Sequence, residues 1–233
     1  MHIESNQPLP TLVVICKRPK LHQGKQRLAA TLGVEQALIL ANSFLQCALE
    51  DARDWPGKVV LSPASADDLD WAALLLDNAD IIPQSEGNLG QRLMEVDQQL
   101  REAGHNHILY IGTDAPILDS RHYFAAIQAF NRYSVVLSAA SDGGVTMMGS
   151  RSSWPQIVSL PWSTEHLGEA LKAACEAAGL EVGYILPSYD IDVEEDLRRL
   201  ADDLQHDVRP ARKRLLEKLL ALTVEERKLC TIR

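Results

Sequence analysis

Ile108-Leu-Tyr-Ile-Gly-Thr-Asp-Ala-Pro-Ile-Leu118 is an apolar run of strand character that ends abruptly in an aspartate followed by a proline. An apolar run without alternation describes a strand covered on both faces, as in a parallel sheet. Open α/β sheets bind ligands beyond the carboxyl ends of such strands. Asp114, held at that end, therefore reads as a ligand for a divalent cation.

The flanking segments repeat one theme. Thr11-Leu-Val-Val-Ile-Cys16 is a first strand, Leu28 to Glu50 a helix, Trp55-Pro-Gly57 a turn and Lys58 to Leu61 a second strand. A helix near Asp67 to Leu76, a short strand at Asp80 to Pro83 and a helix from Leu89 to Ala103, closed by Gly104, lead to strand four at His107 to Ile111. Beyond the acidic tip, Asp119 or Ser120 caps a helix to about Asn131. Strands at Ser134 to Ala140 and Val145 to Met148, a helix from Ser163 to Ala178 and a strand at Val182 to Leu186 follow. The alternation predicts the α/β class, a three-layer α/β/α, Rossmann-like arrangement around a mixed, mostly parallel sheet.

Charged and leucine positions from Glu194 to Glu226 recur at helical spacing and are interrupted at Pro210, which predicts two amphipathic helices. The expected organisation is a single domain over 1–233, with a core at 11–200 and a helical extension at 201–233. That extension is expected either to cover a sheet edge or to pair with a second copy in a homodimer.

The chain has 233 residues and a formal net charge of −9, which speaks against broad attraction to nucleic-acid phosphates while allowing a local basic pocket for one nucleotide. Cys16, Cys47, Cys175 and Cys230 lack the paired spacing of zinc or redox sites and read as reduced thiols, three of them within apolar patterns. Neither a signal segment at Met1 to Pro10 nor an apolar run long enough to span a bilayer is visible, so a cytoplasmic protein with no membrane partner is expected.

Three constellations could carry chemistry. The loop Lys17-Arg-Pro-Lys-Leu-His-Gln-Gly-Lys-Gln-Arg27 sets five cationic side chains between a strand and a helix amino terminus, a suitable cradle for a di- or triphosphate, or else a solvated basic surface. It lacks the spaced glycines and the Lys-Ser/Thr ending of a Walker loop. In Gln84-Ser-Glu-Gly-Asn-Leu-Gly-Gln-Arg92 two glycines allow close backbone approach and Arg92 can reach an anion; equally, Asn88 is an ordinary helix cap. The third set is acidic: Asp114, Asp142 in Ser141-Asp-Gly-Gly144, and Asp190 with Asp192 in Tyr189-Asp-Ile-Asp-Val193. Each follows a strand, so together they could hold Mg²⁺ or Mn²⁺ against substrate phosphates, although a lone aspartate in such a place is usually a turn or cap residue. The histidines show no zinc spacing; His166 stands apart, either near an acceptor or simply on the surface.

These segments, in this order, resemble the nucleotide-diphospho-sugar transferase superfamily of GT-A fold from about Thr11 to Leu200. They resemble most its glycosyltransferase-like branch associated with radical-SAM and selenium-domain proteins, and more distantly 2-phospho-lactate and molybdenum-cofactor guanylyltransferases. The first-loop pattern K-x-P-x-x-G-x-x-K-T-R-L-A is met by Lys17, Pro19, Lys25, Arg27, Leu28 and Ala29, with His22 in place of glycine and Gln26 in place of threonine. Q-x-G-x-L-G-x-R-L is met by Gln84, offset by one residue, and by Gly87, Leu89, Gly90, Arg92 and Leu93. G-[ST]-D-x-P is met by Gly112, Thr113, Asp114 and Pro116. D-G-G appears at Asp142, Gly143 and Gly144, followed by Val145 and Thr146 where aromatic residues are usual. W-x-T appears at Trp162, Ser163 and Thr164, and D-x-D-x-x-x-D-L at Asp190, Asp192, Asp196 and Leu197.

The resemblance implies a nucleotide site at Lys17, Pro19, Lys25, Arg27, Gly87, Leu89, Gly90, Arg92 and Thr113. It implies a metal held by Asp114, Asp192 and Asp142, and an acceptor side at Gly143, Gly144, Trp162 and Thr164. Lys25, Arg27 and Asp114 are the expected catalytic residues. They would stabilise charge on a departing diphosphate in a metal-dependent transferase that takes a nucleotide or nucleotide sugar and a small-molecule acceptor. Glycosyl transfer from a nucleotide sugar, nucleotidyl transfer from an NTP and noncatalytic nucleotide binding all stay open.

Overall fold

A computed structural model describes the backbone of residues 9–231 and the side chains of residues 9–222. The described residues form seven strands in one sheet, β1 (Thr11–Cys16), β2 (Val59–Pro63), β3 (Asp80–Ile81), β4 (Ile108–Ile111), β5 (Val135–Ala139), β6 (Val145–Ser150) and β7 (Val182–Tyr184). Their spatial order is β3-β2-β1-β4-β6-β5-β7, and only β6 runs antiparallel to its neighbours. The short Ser141–Gly144 turn between β5 and β6 explains the exception, since a tight turn can join only antiparallel strands. Between β1 and β4 the order reverses, and the carboxyl ends of the two strands open a crevice there.

Eight helices in the described residues cover the sheet: α1 (Gln26–Leu32), α2 (Val34–Asp54), α3 (Leu69–Ala73), α4 (Leu89–Glu102), α5 (Ser120–Ala129), α6 (Leu167–Ala177), α7 (Glu194–Asp203) and α8 (Pro210–Thr231). Adjacent residues of one strand serve opposite faces. Leu12 and Val14 of β1 join α2 and α5 in one core, while Val13 joins α4 and α6 in the other. The three-layer α/β/α arrangement around a mixed, mostly parallel sheet follows from that alternation.

Two helices differ from expectation. The stretch expected as one helix from Leu28 to Glu50 is two, α1 and α2, because Gly33 at φ 86° leaves helical geometry. The helix expected from Ser163 begins only at Leu167, since Ser163 takes φ 63°. Asp119 caps α5 as expected, accepting from Arg121 N and His122 N. Cys16, Cys47 and Cys175 are free and buried, and burial pushes their thiols up to about 12, 12 and 11. Cys230 lies outside the residues whose side chains are described, and Met1 to Pro8 lie outside the described residues. No described helix is long and apolar enough to cross a membrane.

Helix α8 packs on α2 and α7 through a separate apolar cluster that includes Leu40, Phe44, Leu200, Leu215 and Leu219. Its polar anchor is Arg212, fully buried. The guanidinium meets Asp51 Oδ2 at 2.6 Å and Glu50 Oε2 at 3.1 Å on α2. It also donates to the carbonyls of Cys47, Pro116 and Leu118. Arg209 adds bonds to Asp51 Oδ1 at 3.0 Å and Leu118 O at 2.8 Å. The two arginines thus hold the loop that follows Asp114 from behind.

Arg212→Met keeps most of the side-chain volume but leaves Asp51 buried without its closest ion-pair partner. Urea unfolding is expected to show a loss of about 3–5 kcal/mol.

Candidate active site

The basic loop does not act as one patch. Arg18 Nη1 and Lys20 Nζ turn to Asp68 Oδ1, at 3.6 and 3.1 Å. Lys25 turns the other way. It is the N-cap residue of α1 in left-handed geometry, φ 46° and ψ 41°, with a side chain only 8% exposed. Its Nζ donates to Ile191 O at 2.5 Å, lies 3.0 Å from Asp114 Oδ1 and 3.4 Å from Asp192 Oδ1, and sits 5.7 Å from the Phe44 ring centroid. Arg27 Nη1 approaches Asp192 Oδ2 at 3.4 Å and is otherwise exposed. A non-glycine residue in left-handed geometry costs roughly 1–2 kcal/mol. That cost is tolerated where surrounding contacts over-determine the conformation, as those on Lys25 do. His22, standing where the resemblance has glycine, takes φ 62°, so the loop keeps a glycine-like path there.

The acids reach the crevice by separate routes. Asp114 follows the carboxyl end of β4 directly. The chain leaving β7 crosses the ends of β5 and β6, bonded through Ser188 N to Ala139 O, and Ile191 N then binds Asp114 O at 2.9 Å. That crossing brings Asp190 and Asp192 to Asp114 although β4 and β7 are not neighbours. Asp196 Oδ2 fixes the far side by accepting from Asp192 N and Val193 N, both at 2.9 Å. Asp142 sits on the β5–β6 turn and accepts from Gly144 N at 2.9 Å.

Burial raises the Asp190 carboxyl to about 6, helped by the charges of Asp142 and Asp192 and opposed by Lys25. The folded protein therefore binds a proton more tightly there than the unfolded chain does, and ionised Asp190 carries a stability penalty that is absent below about pH 4.

The acids open onto a cavity of about 820 Å³ whose apolar wall includes Leu89, Leu93, Val145, Met147, Met148 and Trp162. Of the expected site residues, Arg27, Leu89, Asp114, Asp142, Gly144, Trp162, Thr164 and Asp192 line it, and Lys25 touches its acids. Lys17, Pro19, Gly87, Gly90, Arg92, Thr113 and Gly143 are not among its lining residues.

Several of these have local partners. An added Cβ on Gly90 would lie 2.3 Å from Trp162 Nε1, so this glycine lets the indole pack on α4, where it donates to Ile157 O. Gly87, at φ 111°, precedes the Asn88–Gln91 capping box. Arg92 Nη1 donates to Gln84 Oε1 at 3.2 Å, while its Nε is buried without a hydrogen-bond partner. Gly143, at φ 90°, backs so closely on the 162–166 loop that a Cβ would lie 2.0 Å from Glu165 O.

Sequence reading did not single out Met147, Met148 or Glu165 as cavity residues. The short β6 pattern identifies a strand but not that its start faces the acidic rim. Among the described residues no group of three or more His, Cys, Asp or Glu side chains is gathered closely enough to hold a metal ion as it stands. The Lys25 ammonium stands between Asp114 and Asp192.

Asp190→Asn is expected to raise the melting temperature at pH 7.5, with the gain fading as pH falls towards 4; a gain independent of pH would contradict the burial account. Gly143→Ala should cost about 1–3 kcal/mol in denaturant unfolding, because it meets both a strained φ and a backbone oxygen.

No curated protein sequence matches the chain. Its fold is shared with a protein from Desulfovibrio desulfuricans G20 that carries the provisional name nucleotide-diphospho-sugar transferase, at TM-score 0.84 and 22% identity over 94% of this chain and 98% of that one. A Mycobacterium sp. strain JC1 homolog of a Mycobacterium tuberculosis protein matches at TM-score 0.56 and 18% identity, over 85% of this chain and 99% of that one. A 4-diphosphocytidyl-2C-methyl-D-erythritol synthase matches at TM-score 0.56 and 12% identity, over 86% and 100%. These likenesses establish a fold of the nucleotide-diphospho-sugar transferase type. Residues 45–164 match the model of a family described as uncharacterized protein conserved in bacteria, DUF2064, and the chain belongs to that family.

Proposed function

We propose that this protein is a metal-dependent transferase that uses a nucleotide-activated donor, moving a glycosyl group from a nucleotide-diphospho-sugar to a small-molecule acceptor. The observation that carries the reading is the buried Lys25 ammonium between Asp114 and Asp192, at the crevice where the strand order reverses.

The donor chemistry suits Mg²⁺ or Mn²⁺, since Asp114, Asp192 and Asp142 all line the cavity and offer hard carboxylate oxygens. When bound, such a cation would neutralise charge on the donor's phosphates. Lys25, released from its carboxylates, would turn its ammonium to the same phosphates. Arg27, already exposed, would bind them from the solvent side. Both side chains then favour the state in which negative charge accumulates on the departing diphosphate.

Nucleotidyl transfer from an NTP, with release of pyrophosphate, uses the same electrostatics. The fold likeness to 4-diphosphocytidyl-2C-methyl-D-erythritol synthase favours keeping it as the second reading.

Calorimetry of the full chain with Mn²⁺ and a panel of nucleotide sugars and NTPs tests the proposal. Nucleotide sugars should bind only with the metal, and Asp114→Asn should weaken them at least about tenfold, or roughly 1.4 kcal/mol. Unchanged binding in that variant would sink the metal assignment, and NTP turnover to pyrophosphate would transfer the reading to nucleotidyl transfer. Lys25→Met should act in opposite directions: weaker nucleotide binding, but tighter binding of Mn²⁺ alone, because the metal no longer competes with a resident ammonium.

A further inference from the structure

We infer that the acceptor has an apolar body and an uncharged or cationic nucleophile, a hydroxyl or an amine, and is not a carboxylate or a phosphate. This rests on the transferase reading and concerns the part of the cavity lined by the β5–β6 turn and the 162–166 loop. The fixed cations of the site, Lys25 and Arg27, both come from the loop after β1; Lys25 pairs with Asp114 and Asp192, and Arg27 with Asp192. Among the described residues, no Lys or Arg other than Arg27 lines the cavity. The side formed by the β5–β6 turn and the 162–166 loop carries Asp142 and Glu165. Its one side chain able to gain positive charge, His166, lies 3.7 Å from Glu165 Oε1.

Several neutral anion donors on that side are also engaged. The amino terminus of α6 would ordinarily offer amides to an anion. Here Leu167 N donates to Thr164 O and Gly168 N to Gly143 O, at 3.2 and 2.9 Å. Gly144 N is held by Asp142, and the Thr146 hydroxyl belongs to a buried cluster with Ser138 and Ser188. An anionic acceptor would meet like charge and no free donor among these groups. A hydroxyl or ammonium would find acceptor oxygens.

Below the rim, Leu93, Val145, Met147, Met148 and Trp162 form an apolar wall. Methionine side chains adapt to varied shapes, which suits an apolar body. In the transfer, a lone pair of the acceptor oxygen or nitrogen forms the bond to the anomeric carbon as the bond from that carbon to the diphosphate oxygen breaks. The electron pair leaves on the nucleoside diphosphate, and the acceptor proton passes to a rim carboxylate.

A matched series tests the inference: 3-phenylpropanol, 3-phenylpropylamine, 3-phenylpropionate and 3-phenylpropyl phosphate. Each is titrated into the full chain, with and without Mg²⁺ and nucleoside diphosphate, while the methionine methyl signals are followed by NMR. The alcohol and the amine should perturb the Met147 and Met148 methyls and bind at least about tenfold more tightly than either anion. Glu165→Lys, at an exposed position, should recover binding of the anions. Anions that bind as well as the alcohol, or methyl signals that none of the four compounds moves, would overturn the inference. Loss of nucleotide binding with the head-group order intact would instead count against the transferase reading.

Discussion

The ammonium of Lys25 is the contact on which the site depends. It meets three parts of the chain that are distant in sequence: its own loop after β1, Asp114 after β4, and the Ile191–Asp192 segment after β7. Without that positive charge Asp114 would lose its ion-pair partner and Asp192 would keep only the exposed Arg27. Asp190 close by has its carboxyl pushed up to about 6, by burial first and by the charges of Asp142 and Asp192 after it.

Positioning of this kind needs a rigid support, and the carboxyl-terminal helix supplies part of it. Arg212 and Arg209 reach from the start of α8 through α2 to the carbonyls of Pro116 and Leu118, just past Asp114. A fully buried guanidinium is tolerable only when every donor is met, and here carboxylates and main-chain oxygens share that task. The cation nearest the crevice and the cation behind it therefore constrain opposite sides of the same short loop.

Backbone strain marks the same region. Lys25 and His22 occupy left-handed conformations in the loop after β1, and Gly143 adopts a positive φ where its turn meets the backbone of Glu165. Gly90, by contrast, serves packing, leaving room for the indole that walls the cavity. One motif glycine supports a turn and another supports an aromatic contact, although in sequence both look like freedom for a ligand to approach.

The strands, the order of the elements and the strand-end places of Asp114, Asp142 and the Asp190–Asp192 pair were legible from residue patterns alone. Those follow from local rules: apolar runs, helix caps, and turns that must follow strands. How four of the five cations of the first loop divide emerges only in three dimensions. Arg18 and Lys20 go to Asp68, while Lys25 and Arg27 go to the acids, because that choice depends on partners at least 40 residues away. The break at Gly33 and the methionine wall of β6 were hidden for related reasons. A glycine within a helical pattern does not announce its φ, and a strand's pattern does not say which of its ends lies beside a crevice.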